Sequence, residues 1–231
     1  MIVLGIETAG PHGSVALLEP DARGGARVVQ TVLTATRQLG AELAPTIQRM
    51  LRAAGLGPRR PPDLVAVDTG PGSYTGLRIG LAAAKGLAFA WGRPLLGVPC
   101  VDALEALAPP GERVVCALDA SRGQVYAATF LRTPEGVVRE QAAGLHDPAI
   151  LRQALARPAV VVGDAAAQVS DEAAGLVAAP DVRWPTAEQV AALAYARFAR
   201  GERQDALRLC PIYFHLNEAE EQRRKRGMRV G

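Results

Sequence analysis

The residues whose types and spacing come nearest to chemistry run from Asp68 to Gly80: Asp-Thr-Gly-Pro-Gly-Ser-Tyr-Thr-Gly-Leu-Arg-Ile-Gly. Gly70 and Gly72 bracket Pro71 directly after a short apolar stretch. A turn there needs glycine where φ is positive or where backbone must come close to another group. Ser73 or Thr75 can cap the helix that follows. The free N–H groups at such a helix start bind anions, phosphate above all. The same pattern also describes a tight strand-to-helix turn with no ligand. Two known phosphate motifs fail on specific residues. A P-loop needs GxxxxGK[ST], whereas Leu77-Arg78 follow Gly76. A dinucleotide fingerprint needs GxGxxG with an acidic residue about 20 positions on; here the spacing is GxGxxxG and Ala90-Trp91-Gly92 occupy that distance.

Other reactive side chains are sparse. Asp119, in Ala-Leu-Asp-Ala-Ser-Arg at 117–122, follows a strand-like run and reads either as a general base or as a turn acid capping or pairing with Arg122. His12, His146 and His215 are far apart, and there is no HxxxH pair to hold a metal. Cys100, Cys116 and Cys210 are widely spaced with no CxxC. That pattern argues against a disulfide framework and for a reducing compartment, so a cytoplasmic location is expected.

The helix after the turn has a bare face. Gly72, Gly76, Gly80, Ala84, Ala88 and Gly92 recur every four residues and share one side. Glycine inside a helix costs up to about 1 kcal/mol relative to alanine. Close approach of another backbone would offset that, either within the same domain or from a second subunit paired through this helix and the one at 38–54.

The elements that must position these residues follow from periodicity. Residues 2–6, 14–18 and 28–34 read as three antiparallel strands, with 20–25 as a hairpin loop. Residues 38–54 carry apolar side chains at helical spacing, with Pro45 marking either the start of the main helix or a kink. A buried parallel strand at 64–67, the helix at 74–91 and a strand at 95–98 make a βαβ unit. A short helix at 101–107 follows. The pattern then restarts with strands at 113–118, 125–131 and 137–141, a helix at 147–155 and a strand at 159–162. Thr186 and Gln189 make a capping box for a helix to 200, and 207–216 is a last extended piece around Pro211. The repeat predicts an α/β protein of two lobes. One comprises residues 1–99 with the helix and extended piece at 186–216; the smaller one spans 100–185; a flexible charged tail occupies 217–231.

The bulk numbers agree with a soluble globular chain: 231 residues, 49% hydrophobic, 21% charged and a net charge of +3. The tail supplies much of that charge, which leaves the body with no strong footprint for nucleic acid. No run of apolar residues is long enough to predict a membrane span.

Residues 68–98, DTGPGSYTGLRIGLAAAKGLAFAWGRPLLGV, closely resemble the signature of the TsaB (YeaZ) family. GIETAGPHGSVALL at 5–18, GVPCVDALEALA at 97–108, ALDASRGQVYAATF at 117–130 and LRLCPIYFHL at 207–216 match in order. The resemblance implies the two-lobed actin/Hsp70/sugar-kinase-like fold, each lobe a mixed sheet with flanking helices and the second lobe reduced. It implies a dimerization subunit without its own active site. Such a subunit forms homodimers, or heterodimers with a TsaD-like protein. With that protein and a TsaE-like ATPase it supports transfer of threonylcarbamoyl from threonylcarbamoyl-AMP to the adenosine beside the anticodon of tRNAs reading ANN codons. ATP and metal are then expected in the partner proteins. The two family helices at 38–54 and 74–91 would build the interface, here through Leu43, Ile47, Met50, Tyr74, Leu77, Arg78 and Leu81. Glu7 and Thr8 fall where superfamily ATPases place an acid near phosphate-bound metal. With Gly70, Gly72 and Ser73 they are the candidate nucleotide-binding residues, either functional or vestigial, although no second acidic ligand is evident from sequence.

The chain departs from the family at Leu39-Gly40, where a His-Ser pair is usual. Three alternatives are weaker. A TsaD-like transferase or metallopeptidase needs an HxxxH that the region lacks. A small-molecule kinase needs a fuller second lobe. Direct RNA contact would fall to the tail's Arg223-Arg224-Lys225-Arg226.

Overall fold

The chain folds around two five-stranded sheets of identical topology. The structure, a computed structural model, describes residues 1–21, 26–32, 39–109 and 111–214. Residues 22–25 of the hairpin loop and the charged tail read from the sequence lie outside the described residues, and Pro20 belongs to the strand before the loop. In the first sheet β1 (Val3–Glu7), β2 (Ser14–Pro20) and β3 (Ala26–Val32) run antiparallel, and β4 (Leu64–Gly70) and β5 (Leu95–Pro99) add in parallel, giving the order β3-β2-β1-β4-β5. In the second, β6 (Arg113–Asp119), β7 (Val125–Thr133) and β8 (Gly136–His146) form the meander, and β9 (Ala159–Val162) and β10 (Leu176–Ala178) lie parallel to β6, giving β10-β9-β6-β7-β8.

Strand alternation decides where the helices go. Leu4, Ile6, Val65 and Val67 point to one face of the first sheet, covered by α1 (Leu39–Ala53) and α2 (Tyr74–Trp91). Val3, Leu64 and Ala66 point to the other, covered by α6 (Ala187–Ala199). The capping box Thr186–Gln189 starts α6 as the sequence predicts. Pro45 lies inside α1, which begins six residues before it, so neither end of the helix is set by the proline. The second sheet packs α4 (Pro148–Ala154) and α5 (Ala166–Val169) on one face. Its other face meets α3 (Cys100–Glu105), whose Ala103 joins the core of the first sheet while Cys100, Val101 and Leu104 join that of the second. The second lobe is reduced in its helices rather than its sheet: α4 and α5 have 7 and 4 residues against 15 and 18 in α1 and α2.

Residues 207–214 form no strand; they run as an irregular strap back across the first lobe. Gly97 N–H donates to Gln204 Oε1, Ile212 N–H donates to Thr69 O at 2.7 Å, and Phe214 packs edge-on against Tyr126 of the second sheet.

Candidate functional site

The carboxyl ends of β1 and β4 meet at the point where the order of the first sheet reverses, the usual place for a site in an open α/β sheet. Ile6 pairs with Val67, so Glu7 and Asp68 follow as neighbours on the same sheet face. Both are fully buried. Glu7 Oε1 accepts the N–H of Gly10 at 2.7 Å, and Asp68 Oδ1 accepts the N–H of Gly70 at 2.6 Å. Among the described residues, Glu7 Oε2 and Asp68 Oδ2 have no partner. Burial pushes both carboxyls well above the usual range, and the Asp68 charge raises Glu7 further. The Cys100 thiol beside them is also pushed up, by burial and then by the two acids.

Asp68 is the residue that sequence reasoning missed. The sequence offers Glu7 with no second acid; the parallel register supplies one across the sheet, 61 positions away. Even so, no group of three or more His, Cys, Asp or Glu side chains among the described residues is arranged for a metal ion. Two carboxylates already engaged by backbone N–H groups are too few oxygens for a hard divalent cation. The raised values fit protonation of the pair rather than metal binding.

Every other member of the expected nucleotide site is used internally. Thr8 donates its hydroxyl to Gly76 O at 2.8 Å. Ser73 caps α2 by accepting Gly76 N–H at 3.2 Å and ties the turn to β1 by donating its own N–H to Ala9 O. A side chain at Gly70, where φ is +94°, would meet Ile212 O at 2.7 Å, and one at Gly72 would meet Ala9 O at 2.5 Å. The strap and the turn after β1 thus pack directly on these two glycines. Gly10 in that turn lies against the Trp184 ring, which closes the same place from the second lobe.

The bare ribbon of α2 has the same cause. A Cβ on Gly76 would stand 1.9 Å from Thr8 O, and one on Gly80 would stand 2.1 Å from Thr8 Oγ1. The close approach is to the chain's own first strand, not to another subunit. The expected interface is corrected accordingly. Leu43, Ile47, Met50, Leu77 and Leu81 are buried in the chain's own core, because they are the apolar stripes that fix α1 and α2 to the sheet. Tyr74 and Arg78 are at the surface. The Arg78 guanidinium lies 3.9 Å over the Tyr74 ring and its Nε donates to Tyr213 Oη at 3.0 Å.

What α1 and α2 do present outward is a groove of about 780 Å³, walled by Pro45, Gln48 and Arg52 of α1, Leu56 and Pro58 beyond it, and Ala83, Gly86, Leu87 and Trp91 of α2. Phe89, on the outer side of α2, is 90% exposed. In the second lobe Asp119 accepts the N–H of Ser121 at 2.7 Å and so acts as a turn acid. Its N–H is held by Asp164. No helix among the described residues is long and apolar enough to cross a membrane.

A duplicated meander-plus-parallel sheet with helices on both faces defines a two-lobed α/β protein. Comparison with known proteins narrows this. Residues 33–149 match the family model described as "TsaD: tRNA N6-adenosine threonylcarbamoyltransferase". The chain is 29% identical to the tRNA threonylcarbamoyladenosine biosynthesis protein TsaB of Escherichia coli over 95% of its own length and 96% of the relative's. A tRNA N6-adenosine threonylcarbamoyltransferase of Anaeromyxobacter dehalogenans is 39% identical, but over 42% of this chain and 32% of that one. YeaZ from Pseudomonas aeruginosa superimposes with a TM-score of 0.73 at 26% identity, over 92% of this chain and 99% of that one. The chain belongs to the family that the matching model describes, and the end-to-end likeness places it in the TsaB (YeaZ) branch.

Proposed function

We propose that this chain is the non-catalytic subunit that supports a TsaD-type transferase in making threonylcarbamoyladenosine in tRNA, the process named for its TsaB relatives. The observation that carries the reading is the full-length likeness to TsaB beside a merely partial likeness to the transferase. A second support is the switch point: Thr8, Ser73, Gly70 and Gly72 are committed to intramolecular contacts there, and Glu7 and Asp68 are buried side by side. Catalysis, ATP and metal then belong to partner proteins, the TsaD-type transferase and a TsaE-like ATPase, and tRNA meets the chain through the assembled complex in the cytoplasm. The face for pairing, with a transferase or with a second copy, is the outer side of α1 and α2.

Reconstitution tests it. Purified chain, its TsaD-type and TsaE-type companions, threonylcarbamoyl-AMP and tRNA are combined, and modified nucleoside is measured with and without the chain. Loss of modification on omission is the expected result. The chain alone is expected to have no ATPase, kinase or peptidase turnover. Turnover by the isolated chain that Glu7→Ala or Asp119→Ala abolishes would overturn the reading.

A further inference from the structure

A second cavity, of about 590 Å³, lies between α3, the β7–β8 pair and the C-terminal half of α6. Phe130, Val137 and Leu193 give it apolar walls, and Arg139, Arg197 and Arg200 line it from β8 and α6. Its two acids, Asp102 and Glu105, do not balance these cations. Glu105 accepts from Arg132 Nε at 2.6 Å and is neutralised there. Asp102 is shared, with one oxygen on Arg139 and the other on Arg197. Arg200 is exposed and forms no ion pair among the described residues. Three guanidinium groups therefore face one carboxylate. The C-terminal end of α6 attracts Arg197 and Arg200 through its partial negative charge. It does not account for Arg139, which converges on them from the second sheet.

The chain carries the missing carboxylates within reach. Phe214 is the last described residue, and its ring centroid lies 5.8 Å from that of Tyr126. Tyr126, Ala128 and Phe130 share one face of β7. The cavity's Phe130 thus stands about 13 Å along the strand from the point where Phe214 is anchored. Residues 218–221 read Glu-Ala-Glu-Glu. An extended chain spans up to about 3.4 Å per residue, so Glu218 reaches about 13 Å beyond Phe214 and Glu221 about 23 Å. Charge decides which part of the tail fits, because residues 223–226, Arg-Arg-Lys-Arg, have the same sign as the cavity. A carboxylate tethered at this distance has an effective concentration in roughly the millimolar range, which a free anion has to match.

We infer that the cavity between α3, β8 and α6 is the docking site for the chain's own acidic segment at 218–221, whose carboxylates pair with Arg200 and with the remaining N–H groups of Arg139 and Arg197. Because α6 packs on the first sheet and β8 belongs to the second, the docked segment clasps the two lobes together. It leaves the basic cluster at 223–226 outside the cavity.

A nitroxide label on the full chain tests it, carried by Ala219→Cys in a Cys210→Ser background; Cys100 and Cys116 are buried and stay unlabelled. At about 0.05 M NaCl the label is expected to remove about half or more of the amide signal intensity at 136–140 and 193–200, and raising the salt to about 0.5 M is expected to restore most of it. The triple variant Glu218→Lys, Glu220→Lys, Glu221→Lys is expected to lose the broadening. Arg200→Glu is expected to reduce it about twofold or more, with Arg200→Gln in between and Arg200→Lys close to wild type. Unchanged circular dichroism in Arg200→Gln removes misfolding as the cause. Broadening that is absent at low salt, or centred on other residues, overturns the inference. So does broadening that survives the triple Glu→Lys change, since charge would then not be what docks the segment. Inorganic phosphate that titrates the 193–200 signals equally in wild type and in the triple variant overturns it in favour of a site for free anions.

Discussion

Glu7 and Asp68 stand side by side at the ends of two parallel strands, each with one oxygen on a turn N–H and the other without a partner among the described residues. Two adjacent buried carboxylates cannot both be ionised cheaply. Protonation of the pair relieves the repulsion.

A pH dependence of stability follows. Burial, and for Glu7 also the neighbouring Asp68 charge, raises the folded-state values to about 8 for Glu7 and about 7 for Asp68, from 4.5 and 3.8. The folded state therefore holds protons that the unfolded chain has released. The contribution is fully present below about pH 4 and is lost as pH rises through about 8. Chemical denaturation between pH 5 and pH 9 should lose stability on the order of 3 kcal/mol through this pair. Asp68→Asn keeps an acceptor for Gly70 N–H and offers an amide donor to Glu7, so its profile should be flatter and its stability higher than wild type at pH 9. Asp164, also raised by burial, is removed from the comparison by repeating the pair of profiles in an Asp164→Asn background. Equal slopes for the wild type and the Asp68→Asn variant would falsify proton uptake by the buried pair.

The glycines of α2 make an internally controlled series. Gly76→Ala pushes a methyl into the Thr8 carbonyl, which is backbone and cannot turn away. A loss of about 3 kcal/mol is expected, as for other overpacked sites. At Gly80 the obstacle is the Thr8 hydroxyl; a methyl there forces that side chain off its bond to Gly76 O, and a loss of about 1–2 kcal/mol is expected. A Cβ on Gly86 meets nothing within 4 Å. Gly86→Ala should stabilise the protein by up to about 1 kcal/mol through helix propensity alone. Urea midpoints at unchanged m-value read all three. If Gly76→Ala is as well tolerated as Gly86→Ala, the ribbon does not pack on Thr8.

Much of this was legible in the sequence because it is local. Helical spacing gave α1, α2 and α6. Ser73 and the Thr186–Gln189 box announced helix starts by their type and position. The four-residue ribbon correctly implied a close backbone approach, but a helix face does not say what approaches it. Thr8 is 68 positions from Gly76, and only the sheet brings them together. Asp68 stayed hidden for the same reason, since a carboxyl at a strand end becomes half of a pair only through parallel register. Leu43, Ile47, Met50, Leu77 and Leu81 looked like interface residues because an apolar stripe reads the same whether it faces a sheet or a partner. The strands and helices from Ala166 to Ala178 are three or four residues each, too short for any period to declare itself.

Asp102 joins the two lobes. From α3 its carboxylate accepts from Arg139 of β8 on one oxygen and from Arg197 of α6 on the other. Its side chain is largely buried, while the arginines are partly exposed. Asp102→Ala leaves two cations facing each other without a counter-charge, and a loss of about 2 kcal/mol is expected, below the range for a fully buried pair because water reaches both arginines. Asp102→Asn keeps the shape and loses the charge, so it should fall between. A structural cap inside one lobe would give the same drop in stability, so the discriminating readout is regional. Amide exchange should rise in both β8 and the C-terminal half of α6 in Asp102→Ala, since the residue ties one to the other. In Arg139→Ala the effect should stay in β8, and a double-mutant cycle of Asp102 with each arginine should return two separate coupling energies. Exchange that changes on one side alone would mean that Asp102 caps its own helix and does not fix the angle between the sheets.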